Sequence, residues 1–219
     1  MLNYGIVGCG MMGREHIRNI SLLPNARIAG IFEPNKEMCR LAKSIAPEAT
    51  FFESLKDLIT KTALDCIVIA TPNFCHIDDL HEIGENIEVP ILLEKPVVTK
   101  IEDIEKITYF DKNYSAPIWV AMEYRYMPPL QEFIRKADTI TGGVRMLSIR
   151  EHRYPFLKKV DNWNRFNELS GGTFVEKCCH FFDLMRLINS SNPTQIMAIG
   201  SQACNHLDES YNGIKPNIW

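Results

Sequence analysis

Short apolar runs alternate with longer segments in which apolar residues recur every three to four positions, and this alternation continues over the first 121 residues. Residues 3–8 (NYGIVG) read as a buried strand, and 11–23 as a helix with Met12, Ile17, Ile20 and Leu23 on one face. The same alternation predicts strands at 27–32, 50–52, 65–70, 90–93 and 117–122, with helices at 35–46, 54–62, 73–86 and 101–113. Ser54 and Asp57 form a capping-box-like start for the third helix. The run DCIVIA at 65–70 is continuous and β-branched, as expected of a strand covered on both faces. Strand–helix repetition at this spacing predicts right-handed crossovers and a parallel, doubly wound α/β sheet.

The rhythm changes after residue 122. A helix is predicted at 128–137, a half-wet strand at 144–152, a polar and aromatic loop at 153–172, a long helix at 174–189 and a strand at 194–201, followed by an Asn212-Gly213 turn. Two strands make a marginal sheet in water. The expectation is therefore an N-terminal domain over 1–122 and a smaller α+β domain over 123–219. The sheet of the second domain, open and mainly antiparallel or mixed, looks incomplete.

The composition is that of an ordinary globular chain: 219 residues, 46% hydrophobic and 23% charged. A net charge of −3 supplies no field to draw nucleic acid or an anionic membrane surface, and no apolar run is long enough for a membrane span. Seven cysteines without a CxxC pair suit free thiols in a reducing cytoplasm.

Gly8-Cys9-Gly10-Met11-Met12-Gly13 is a GxGxxG loop between a predicted strand and a predicted helix, with Glu33 at the end of the second strand. That context marks a dinucleotide site: Gly8 for the tight turn, Gly10 for close approach to the pyrophosphate, Gly13 for helix–strand packing. Glu33 would accept from a ribose diol and repel a 2′-phosphate, favouring NAD over NADP, while Lys36 and Arg40 nearby weaken that preference. A GK[ST] sequence does not follow the loop, which argues against phosphoryl transfer.

Three later segments, taken with this loop, resemble the Gfo/Idh/MocA family of nicotinamide-dependent oxidoreductases, which includes inositol dehydrogenase and glucose-fructose oxidoreductase. They are Thr71-Pro72-Asn73 with His76, Glu94-Lys95-Pro96, and Gly171-Gly172-Thr173 leading to Glu176, His180 and Asp183. The resemblance implies a Rossmann domain and a substrate domain that move a hydride between NAD(P) and a secondary alcohol or ketone of a sugar or cyclitol. It implies that Lys95 lies beside the nicotinamide and the reacting hydroxyl, with Pro96 holding the turn through a cis bond. It further implies that His180 takes the hydroxyl proton and that Glu176 stands where many relatives carry Asp.

Met11, Met12, Thr71, Pro72, Asn73, His76 and Glu94 would line the cofactor cleft, although His76 also reads as structural. Glu176 and His180, four apart, would share one helix face. Asp183 either orients the His180 ring or pairs at the helix surface. Arg125, Arg153, Trp163, Asn164 and Arg165 suit a polyhydroxylated ring, and suit a domain seam or subunit interface equally well. His16, His81 and His206 carry no expected role. No metal site is expected. The resemblance also implies a homo-oligomer, dimer or tetramer, built through the second domain's sheet. Two other readings remain open at this point: a non-catalytic NAD-binding sensor, or a shortened interaction subunit.

Overall fold

A computed structural model of the chain describes residues 1–152 and 154–218. Arg153, singled out for the substrate, lies outside them. Six strands among the described residues form one parallel sheet: β1 (Leu2–Val7), β2 (Ala26–Phe32), β3 (Thr50–Phe52), β4 (Cys66–Ile69), β5 (Ile91–Leu93) and β6 (Ile118–Val120), in the order β3-β2-β1-β4-β5-β6. The chain first winds outward from β1 to β3, then returns to β4 on the other side of β1. Between β1 and β4 the sheet therefore has its topological switch point, where a crevice opens at the strands' carboxyl ends.

The two-residue period of the strands sorts the core. Val7, Ile67 and Ile69 face α3 (Leu55–Lys61), α4 (His76–Gly84) and α5 (Asp103–Asn113). Ile6, Ile31 and Val68 face α1 (Met11–Ser21) and α2 (Lys36–Ile45). Both faces are thus buried, which is why these strands carry continuous apolar runs. Ser54 caps α3 as its sequence suggested, its hydroxyl accepting from Asp57 N at 3.0 Å.

Beyond β6 come a 3₁₀ turn at Glu123–Tyr126, α6 (Pro128–Thr141), a second turn at Val160–Arg165, α7 (Asn167–Ser170), α8 (Gly172–Glu176) and α9 (Cys179–Asn189). Two expectations change here. The single helix predicted at 174–189 is interrupted after Glu176. The Glu176 carbonyl, which a continuous helix would offer to His180 N, accepts from Lys95 Nζ at 3.0 Å instead, and His180 N turns to Lys177 O. The stretches 144–152 and 194–201, both expected as strands, enter no ladder among the described residues, and Met146, Ile196, Met197 and Ile199 are exposed. An alternating strand is stable only where a neighbour satisfies its backbone and covers its apolar face. The Asn212-Gly213 turn does form, pairing Tyr211 with Ile214.

Candidate active site

Three strand ends build the crevice. After β1, Gly8 adopts φ +88, and a Cβ there would lie 2.7 Å from Thr71 N. Gly13 comes so close to Gly8 that a Cβ would stand 2.0 Å from its carbonyl oxygen. Gly10, by contrast, opens onto free space, and as N-cap of α1 it supplies no side-chain acceptor to the helix's first N–H groups. Uncapped donors at a positive dipole end, beside an open glycine, fit the pyrophosphate of a dinucleotide. Glu33 braces the loop, accepting from Cys9 N at 2.5 Å and Asn35 N at 2.7 Å. Arg40 is engaged by Glu37 through two contacts, at 2.9 and 2.7 Å.

After β5, the turn Glu94-Lys95-Pro96 contains a cis Lys95–Pro96 peptide and is braced by two histidines. His16, on α1, meets Glu94 Oε1 at 2.7 Å. Burial opposes ionisation of Glu94, but the His16 contact and the adjacent Lys95 charge outweigh it and hold the carboxyl below its ordinary value. His76 is fully buried and reaches Pro96 O at 2.7 Å and Thr71 O at 3.1 Å, so it ties this turn to the one after β4. Burial lowers its pKa and keeps the ring neutral, leaving one N–H for two carbonyls.

Lys95 projects from that turn to Glu176, its Nζ 3.8 Å from Oε1 as well as bonded to the backbone carbonyl. Glu176 is buried and fully engaged. Oε1 also meets Lys159 Nζ at 3.2 Å, and Oε2 accepts from Asn73 Nδ2, which donates in addition to Ser170 O at 3.0 Å. Burial lowers the Lys159 pKa while the Glu176 charge pulls the other way. Asn73 thus joins the end of β4 to the segment that carries Glu176.

His180 opens α9 with its ring stacked on Tyr124, centroids 4.4 Å apart, and with Nε2 at 3.4 Å from Glu123 Oε1. Its Nδ1 is buried without a hydrogen-bond partner. Burial, then the charges of Lys95 and Lys177, push its pKa down to about 4, so the ring is a neutral base at pH 7. A stability prediction follows from the sign. Between the ordinary value of 6.5 and about 4, the unfolded chain binds a proton at His180 that the folded chain does not. Stability is therefore lost as pH falls through that window. His180→Asn is expected to show a shallower loss than the parent in urea unfolding at pH 7 and pH 5; equal losses would refute a neutral buried ring.

The family model described as an oxidoreductase family with an NAD-binding Rossmann fold matches residues 2–122, and its companion for the C-terminal α/β domain matches residues 138–215. The chain belongs to the Gfo/Idh/MocA oxidoreductase family. The rhizopine catabolism protein MocA of Rhizobium meliloti is 26% identical over 90% of this chain and 60% of its own length. The inositol 2-dehydrogenase of Corynebacterium glutamicum (strain R) is 30% identical over 70% of this chain and 46% of its own. The fold matches that of Lactobacillus casei myo-inositol dehydrogenase in complex with NAD(H) and myo-inositol at TM-score 0.69, with 18% identity over 91% of this chain and 60% of that one. The chain thus spans about half to three-fifths of the length of these relatives.

Set in this Gfo/Idh/MocA frame, the other candidates from the sequence are placed as follows. Met11 is exposed and Met12 half-buried at the start of α1, and Thr71 holds Asp79 through its hydroxyl at 2.6 Å. Arg125 and Asp183 pair with each other, Nε to Oδ2 at 2.6 Å, so Asp183 is engaged by the guanidinium. Trp163, Asn164 and Arg165 are buried. Asn164 fastens its own loop, and Arg165 reaches Glu209 at 2.9 Å and Phe156 O at 2.7 Å while its carbonyl receives the N–H groups of Asn217 and Ile218. Sequence reasoning passed over Lys159, Glu123 and Tyr124 and gave His16 no role. The Lys158-Lys159 pair inside an aromatic loop was the one signal available for Lys159.

Proposed function

We propose that the chain carries the hydride-transfer site of an NAD-preferring dehydrogenase acting on a secondary alcohol of a sugar or cyclitol, or on the matching ketone. The observation that carries this reading is the convergence of Lys95, Glu176 and the neutral His180 at the carboxyl edge of the sheet, beside the uncapped glycine loop. A nicotinamide dinucleotide held there supplies the hydride acceptor or donor. The chain's own residues do the rest. Main-chain N–H groups after Gly10 hold the pyrophosphate, and Glu33 receives the ribose hydroxyls. His180 removes the hydroxyl proton, and the Lys95 ammonium stabilises the oxygen as negative charge develops. Glu176 and Asn73 hold Lys95 in place.

On this reading residues 1–122 bind the cofactor and 123–219 the substrate, and the protein works as a cytoplasmic homo-oligomer. Free cysteines suit such a compartment. The NAD preference rests on Glu33, with Arg40 already paired to Glu37. The decisive experiment is fluorescence titration of the chain with NADH and, separately, NADPH. NADH is expected to bind at least about 10-fold more tightly, and Glu33→Ser to narrow that ratio about 10-fold. Equal affinities would remove the assignment of Glu33, and no binding of either nucleotide would overturn the dehydrogenase reading. Tight NADH binding with no turnover across a broad polyol panel would turn it into that of a sensor.

A further inference from the structure

Three consecutive residues after β6 grip the segment that carries His180. Arg125 pairs with Asp183 on α9, Nε to Oδ2 at 2.6 Å. Tyr124 lays its ring flat on the His180 imidazole, the planes 9° apart, and Glu123 Oε1 lies 3.4 Å from His180 Nε2. The Tyr124 hydroxyl is held in turn, donating to Glu151 Oε1 at 3.2 Å and meeting the Lys177 ammonium. The imidazole is thus fixed with one edge towards Glu123.

An alcohol that gives up a hydride also gives up a proton, and the base that takes it here is 2% exposed while Glu123 is 50% exposed. A substrate and a nicotinamide in the crevice would cover what remains of the ring. The charged groups facing His180 leave one route to water. Lys95 and Lys177 are ammoniums, which donate and cannot accept. Glu94 is committed to His16 and Lys95 N, Asp183 to Arg125, and Glu176 to Lys95, Lys159 and Asn73. Glu123 pairs with no lysine or arginine among the described residues. The proton affinities run the same way: burial and the two lysines push His180 down to about 4, and burial raises Glu123 above its ordinary 4.5. We infer that Glu123 is the positioning partner of His180 and the outlet through which its proton reaches solvent. The imidazolium carries hydrogen on both ring nitrogens, and Nδ1 is buried without a partner. The proton therefore leaves from Nε2 to Glu123 Oε1, and from there to water. The hydride goes to NAD⁺, so each NADH formed releases one proton and no further reactant is needed. This rests on the dehydrogenase reading above and adds the fate of the proton.

The test is stopped-flow oxidation by the full chain with NAD⁺ and a broad panel of sugars and cyclitols, myo-inositol and D-glucose among them, in weak buffer with phenol red. NADH absorbance reads the hydride and the indicator reads the proton. In the parent the two traces are expected to coincide. Glu123→Gln keeps the shape of a half-exposed side chain and removes its basicity, so proton release should lag NADH formation by at least about 10-fold. Glu123→Asp should shorten the lag, and so should added imidazole, a mobile acceptor that could not replace a merely structural side chain. Coincident traces in Glu123→Gln overturn the inference, as does a lag that neither aspartate nor imidazole shortens; in both cases hydride moves and the dehydrogenase reading stands. A chain that moves no hydride with any member of the panel overturns that reading, and the inference with it.

Discussion

Replacing Lys95 by methionine is expected to cut turnover of any sugar or cyclitol the chain oxidises by about 1,000-fold, with the fold intact. On the proposed dehydrogenase reading, the size follows from losing a fixed ammonium at the oxygen where charge would develop. Methionine keeps the unbranched stem and removes the charge. Glu176 is not left orphaned by the change, because Lys159 at 3.2 Å and Asn73 still hold its two oxygens. Folding should therefore survive, and NADH affinity should fall little, since the proposed site for the dinucleotide's phosphates is the loop after β1. Initial rates, thermal unfolding and NADH titration on the same preparation separate these effects. Turnover within threefold of the parent would remove Lys95 from the chemistry.

The second large effect is on stability. Gly13→Ala would place its methyl 2.0 Å from Gly8 O, a backbone atom that cannot swing aside as a flexible side chain would. The loop has little room to retreat. Gly8 N is bonded to Phe32 O at 2.9 Å, and the space beside Gly8 Cα is closed by Thr71 N. A loss of about 3–5 kcal/mol is expected, enough to unfold a marginal domain. Gly10→Ala is the informative partner, because its methyl would meet nothing within 4 Å. That variant should unfold at the parent's temperature yet lose NADH affinity about 10-fold or more, since the pyrophosphate needs the same open space. A Gly13→Ala protein as stable as the parent would contradict the close approach of α1 to β1.

Much of the candidate site's placement is legible in the sequence, for an identifiable reason. The glycine loop, the ends of β4 and β5, and the lysine between Glu94 and Pro96 are short contiguous motifs, and local pattern is enough to place them at the carboxyl edge of a parallel sheet. His180 was legible from its motif, but the route to its environment was not. Glu176 and His180 do not share an unbroken helix face, because Lys95, 81 residues away in sequence, takes the carbonyl that would have continued the helix. Arg125 reads in the sequence as a substrate contact and Asp183 as an orienter of the His180 ring or a surface partner, and the fold pairs the two with each other across 58 residues.

What the sequence determined by itself is the six-stranded parallel sheet, its two-sided core and the dinucleotide loop. Each is written in local periodicity and turn chemistry, where a residue's role depends on neighbours three or four positions away. Tertiary structure alone decided which side chains meet. It brought Lys159 to Glu176, tied His16 and His76 to the turn carrying Lys95, and stacked Tyr124 on His180. It also left the strands expected at 144–152 and 194–201 without a ladder among the described residues. The reason is the same in every case: hydrogen-bond and ion-pair partners far apart in sequence are chosen by how the elements pack, and no local pattern encodes that choice.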